Sequence, residues 1–103
     1  MIIITGSIRA RPETFEEIKR LSLAHVRRSR AEDGCLHHSV QIDVEDPLRL
    51  VFVERWRDRQ AVAKHFADRD ARAFVKAVRA LATSTTEIAL YESQEVTIDD
   101  LTR

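Results

Sequence analysis

Residues 35–56 read CLHHSVQIDVEDPLRLVFVERW, and this stretch decides the fold. From 35 to 44 the side chains alternate. Leu36, His38, Val40, Ile42 and Val44 share one face, and His37, Ser39, Gln41 and Asp43 share the other, which is the period of a strand. Glu45-Asp46-Pro47 is a turn signal. Residues 48–56, LRLVFVERW, form a second strand, so 35–56 is an antiparallel hairpin. Upstream, residues 1–9, MIIITGSIR, are rich in β-branched side chains and read as a strand that Ala10-Arg11-Pro12 ends. Pro12 suits a first helical turn, and Thr14-Phe15-Glu16-Glu17 fits a capping box. Phe15, Ile18, Ser22, His25 and Ser29, with Leu21 beside them, recur at helical spacing to about residue 30, and Asp33-Gly34 stops the helix. Downstream, Asp58 caps a second helix with Ala61, Val62, His65 and Phe66 on its inner stripe. Asp70 restarts that helix after a break, and Phe74, Val78 and Leu81 continue the stripe. Residues 83–86, TSTT, are a polar connector; residues 87–96, EIALYESQEV, are the last strand; the tail to Arg103 carries no strong signal. The order is β-α-β-β-α-β, the split βαβ pattern of an α+β domain with an antiparallel sheet, spanning residues 1–103 as one unit.

Composition narrows the function classes. At 103 residues the chain is long enough for one domain with a modest core. Hydrophobic residues at 44% set it apart from disordered chains. Lys and Arg number 17 against 17 Asp and Glu, so the basic surplus that a general nucleic-acid binder needs is lacking. Arg27-Arg28-Ser29-Arg30 reads as a solvated helix end, where cations favour the helix dipole, ahead of an anion patch. The single cysteine, Cys35, makes no internal disulfide and suits a reducing compartment. The apolar run Met1–Ile4 is too short for a signal peptide or a membrane span. A cytoplasmic protein with no membrane partner is expected.

The strands predict a homodimer. Strand one carries Ile2, Ile4 and Ile8 on one face and Ile3 on the other; strand three carries Leu50 and Phe52 on one face and Val51 and Val53 on the other. Helices cover one face of such a sheet, and a face open to water alternates cleanly. Two strands that are apolar on both faces call for a second cover, and a second copy of the chain is the economical one.

Glu32-Asp33-Gly34-Cys35-Leu36, Glu54-Arg55-Trp56-Arg57-Asp58, His65 and Phe74 together resemble the antibiotic biosynthesis monooxygenase (ABM) domain over about residues 2–96. The resemblance implies a ferredoxin-like chain that pairs into a dimeric α+β barrel, with a pocket between sheet and helices in each protomer. It implies cofactor-free oxygenases that turn quinols or anthrones into quinones, beside haem-degrading enzymes and an isomerase. The haem-degrading branch uses an Asn on the first strand and a His late in the second helix. Thr5-Gly6-Ser7 and Phe74-Val75-Lys76 supply neither. A Tyr often follows the Gly-Cys motif in the family, and His38 stands there here.

The residues that can carry chemistry are few. His37 and His38 point to opposite faces of a strand, and the chain has neither an H-x-x-x-H pair nor a Cys-x-x-Cys, so no metal site is expected. There is no nucleotide fingerprint, and no cofactor is expected. Cys35 reads as a small buried residue. Glu54 and Trp56 share the strand face of Leu50 and Phe52, and a carboxylate among buried aromatics needs a partner. His25 and His65 lie on the inner stripes of their helices and can reach it. A Glu54–His65 pair is either a general base held by a carboxylate or a hydrogen bond tying helix to sheet. With His65 and Glu54 catalytic, and with Trp56, Phe52, Phe66, His38 and His25 around the substrate, the expected activity is oxidation of a small aromatic quinol, phenol or anthrone by O2. The same groups suit proton-transfer isomerisation, or binding of a small molecule without catalysis.

Overall fold

β1 (Ile2–Arg9), β2 (Cys35–Ile42), β3 (Arg49–Trp56) and β4 (Glu87–Glu92) form one antiparallel sheet in the order β2-β3-β1-β4. The structure is a computed structural model that describes residues 1–83 and 86–103, so two positions of the connector read at 83–86 lie outside the described residues. β1 and β3 occupy the centre, with Ile2 opposite Trp56, Ile4 opposite Glu54 and Ile8 opposite Leu50. The alternation holds: Ile2, Ile4, Ile8, Leu50, Phe52, Glu54 and Trp56 are buried beneath the helices. On the other face Ile3, Val51 and Val53 are only half-buried.

α1 (Phe15–Arg30) turns Ile18, Ser22, His25, Val26 and Ser29 inward. α2 (Arg59–Ala67) and α3 (Arg69–Leu81) bury Ala61, Val62 and His65, then Ala71, Phe74 and Val78. The shortest dimension of the molecule, 20 Å, is one sheet with one layer of helices. No helix among the described residues is long and apolar enough to cross a membrane.

Asp58 caps α2 as its position predicts, accepting from the Ala61 N–H at 2.9 Å. Gly34 takes φ 85, a left-handed turn that suits glycine, and a Cβ there would stand 2.5 Å from the Ala61 Cβ. Several local expectations are corrected. Thr14 makes no cap; its hydroxyl donates instead to the Leu81 carbonyl at 2.9 Å, tying the start of α1 to the end of α3. α3 is restarted by Asp68, which accepts from the Ala71 N–H at 2.9 Å, and Asp70 lies inside the first turn. A bulge between Cys35 and His37 turns Cys35 toward the core and leaves Leu36 55% exposed. β4 ends at Glu92, short of residue 96, and the tail folds into α4 (Ile98–Thr102) behind a Thr97/Asp100 capping box.

Candidate functional site

The helix-facing core falls into two apolar clusters. One gathers Ile8, Ile18, Val26, Leu50, Phe52, Phe74 and Val78, and the other Ile2, Ile4, Trp56, Ala61 and Val62. Along β3 the buried face runs Phe52, Glu54, Trp56, so a carboxylate sits where the two clusters meet. Three elements aim imidazoles at this seam: His25 from α1, His38 from β2 directly opposite Glu54, and His65 from α2. All three are buried.

Glu54 is held on two sides. Trp56 Nε1 donates to Glu54 Oε1 at 2.9 Å. His38 Nε2 stands 3.2 Å from the same oxygen, at ion-pair range but off the line of a hydrogen bond, and among the described residues His38 Nδ1 has no hydrogen-bond partner. Burial alone would raise the Glu54 carboxyl; the His38 imidazole, the Trp56 N–H and the nearby His65 together outweigh it and hold the group below the ordinary carboxylate range.

His65 departs from the expected pairing. Its Nε2 lies 3.9 Å from Glu54 Oε1, beyond hydrogen-bond reach. The bond goes instead from Nδ1 to Glu32, 3.0 Å from Oε2 and 3.2 Å from Oε1. A carboxylate only accepts, so Nδ1 carries the proton and Nε2 of the neutral ring holds the lone pair. His25 lies flat on Phe74, with ring centres 4.1 Å apart and planes 4° from parallel. Burial, and then the neighbouring His38 and His65, lower its pKa to about 3, so the ring is neutral at physiological pH. Burial also pushes the Cys35 thiol up, away from the reactive thiolate.

A cavity of about 650 Å³ opens beside the seam, between β1, β4 and α3. His25, His65 and Glu54 stand in its polar wall; Phe52, Phe66 and Phe74 of the helix–sheet layer and Ile88 and Leu90 of β4 supply apolar surface. Of the residues singled out in the sequence, the structure therefore brings His25, His65, Glu54, Phe52 and Phe66 to one cavity. Phe66 sits at its edge, 43% exposed, and not on a buried stripe. Trp56 and His38 do not reach this wall. Trp56 is 0% exposed and lies beneath the seam as the donor to Glu54, and His38 sits behind it, 1% exposed.

Glu32, the partner of His65, lies in the turn after α1, where no periodicity marks an inward side chain. Its place beside Gly34 in the Glu32–Leu36 motif was the one available signal. The convergence of three histidines was equally hidden, since they come from separate elements.

The profile of the antibiotic biosynthesis monooxygenase family matches residues 1–77. An uncharacterised protein of Synechocystis, sll1783, is 32% identical over 94 residues, which are 91% of this chain; the match spans 64% of that longer protein. YcnE of Bacillus subtilis, provisionally designated a monooxygenase, is 26% identical over 95 residues, covering 92% of this chain and 100% of YcnE. A Deinococcus radiodurans crystal structure, provisionally assigned as an antibiotic biosynthesis monooxygenase, superposes with a TM-score of 0.89 at 28% identity, covering 94% of this chain and 96% of that one.

Proposed function

The chain belongs to the antibiotic biosynthesis monooxygenase family, and from that premise we propose that it oxidises a small, electron-rich phenol, quinol or anthrone with O2, using its own side chains as the only catalytic groups. The observation that carries the reading is His65 on the cavity wall, with Nδ1 fixed by Glu32 and the Nε2 lone pair free to take a proton. Removing the acidic proton of the substrate produces an electron-rich anion. That anion gives one electron to O2, the resulting radical and superoxide join as a peroxide anion on carbon, and the His65 imidazolium returns its proton to make the hydroperoxide. Loss of water leaves a carbonyl on that carbon, so one oxygen atom enters the product and the other leaves as water. The imidazolium formed on His65 lies near the carboxylates of Glu32 and Glu54, at 3.0 and 3.9 Å, and holds the proton until the product needs it.

The assay follows anthraquinone formation from anthrone in air, corrected for the uncatalysed rate. His65→Ala is expected to lower turnover by about 10²-fold, the low end for general base catalysis, in a chain whose melting is recorded beside it. Unchanged turnover per folded molecule overturns the assignment of His65. The same family reading supports pairing of two copies through the open face of Ile3, Val51 and Val53.

A further inference from the structure

We propose that His25, His38 and His65 form a three-histidine site for one divalent transition-metal ion of the zinc or cobalt class. The inference stands apart from the oxidation reading. It rests first on ring placement. The centres of the three imidazoles are 5.3 Å (His25–His38), 5.4 Å (His25–His65) and 5.7 Å (His38–His65) apart. With metal–nitrogen bonds of about 2.0–2.1 Å, and ring centres roughly 1.1 Å beyond each nitrogen, three imidazoles at tetrahedral to trigonal angles have centres about 5.2–5.5 Å apart. Two of the three separations fall in that range, and the His38–His65 distance of 5.7 Å lies just beyond it.

The nitrogens complete the geometry. One from each ring lies within 4.8 Å of the other two. A bound set needs roughly 3.3 Å between nitrogens, so binding requires the rings to turn about the soft χ2 torsion of histidine. The stack of His25 on Phe74 uses the face of the ring, whereas a metal binds in its plane, so both contacts are compatible.

Two further observations point to a ligand. His38 is 1% exposed; among the described residues its Nδ1 has no hydrogen-bond partner, and its Nε2 meets only the Glu54 carboxylate, at 3.2 Å and off the line of a hydrogen bond; a buried polar atom left so is costly, and a metal bond at Nδ1 would satisfy it. His65 presents Nδ1 to Glu32 at 3.0 Å, the outer carboxylate that typically orients a metal-bound histidine and fixes its tautomer. Glu54 Oε1, 3.2 Å from His38 Nε2 and 3.9 Å from His65 Nε2, places a negative charge against the same point. Because His25 and His65 line the cavity, an ion here would keep one side open to a small ligand. It would also occupy the lone pair that base catalysis by His65 requires, so a loaded chain and a base-catalysing chain are different states.

The test uses the full chain, stripped with chelator, dialysed and titrated with cobalt(II) chloride while the visible ligand-field bands are recorded. One cobalt per chain is expected, displaced by zinc. His25→Gln and His65→Gln should each weaken binding by at least about tenfold, and Glu32→Gln by about 10–100-fold, the range for an outer-sphere partner. His37→Gln, on the opposite face of β2, should leave binding unchanged. Circular dichroism identifies any variant that fails to fold, and the remaining histidine variant then decides. Absence of stoichiometric cobalt binding by the parent chain overturns the proposal. So does binding that survives in the folded His25 or His65 variants. The measurement reads binding without turnover, so its failure and that of the oxidation reading are separately visible.

Discussion

His25 couples the site to the stability of the fold. Its folded pKa of about 3 lies below its ordinary 6.5 because burial, and then the neighbouring His38 and His65, disfavour the imidazolium. In the unfolded chain the ring takes a proton below pH 6.5; in the folded chain it does so only near 3. The unfolded state therefore binds more protons throughout that window, and stability falls as pH drops through it, by up to about 1.4 kcal/mol per pH unit. Glu54, whose folded pKa is depressed, contributes stability that is lost as pH falls through that folded value. Urea unfolding of the chelator-treated chain between pH 7.5 and 4.5 should show the decline begin near 6.5, and His25→Phe should flatten its upper part. Equal slopes in the two chains would remove His25 as the cause. At this scale the sequence revealed inward positions but not pairings. A stripe of Ala61, Val62 and His65 shows that a ring points in; whether it meets Glu54 or Glu32 depends on a turn that carries no period.

Among the elements, the helix starts separate what local chemistry specifies from what contacts decide. Asp58 and Asp68 are both caps with bonds of 2.9 Å to the third residue on, yet only Asp58 follows a strand that marks the boundary. The break before α3 is a single residue, and Asp70 had as good a claim as Asp68 from composition alone. Asp68→Ala should cost about 1 kcal/mol, or about 5 °C in melting temperature for a domain of this size, and Asp70→Ala clearly less; equal losses would contradict the cap. Thr14 shows the opposite failure. Its capping-box pattern was sound, but Leu81, remote in sequence, claims the hydroxyl. The bulge at Leu36 and the helix at Ile98–Thr102 were missed for similar reasons, since one depends on pairing and the other is a single turn.

For the whole molecule the order of elements was legible because strands and helices differ in period, and the sheet order β2-β3-β1-β4 follows from the split βαβ connection. The proposed pairing of two copies would use the open face of the sheet. Ile3, Val51 and Val53 lie there half-buried. Val53→Asp sets a charge at the middle of that face, between Thr5 and Ser39, and should convert a dimer to monomer in light scattering while circular dichroism stays unchanged. A parent chain that is monomeric at micromolar concentration would refute pairing outright.

β4 is the edge strand beside β1 among the described residues, and its Ile88 and Leu90 form a wall of the cavity while remaining about half exposed. That wall is consequently the cheapest part of the sheet to open, since local unfolding is least costly where few neighbours must be broken. Its amide protons should exchange with deuterium well before those of β1 and β3. A molecule seated against Ile88 and Leu90 closes that route, so slowing of β4 exchange becomes a reporter of occupancy that requires neither a known reaction nor a coloured ligand, and a library of small aromatics can be ranked by the protection each confers.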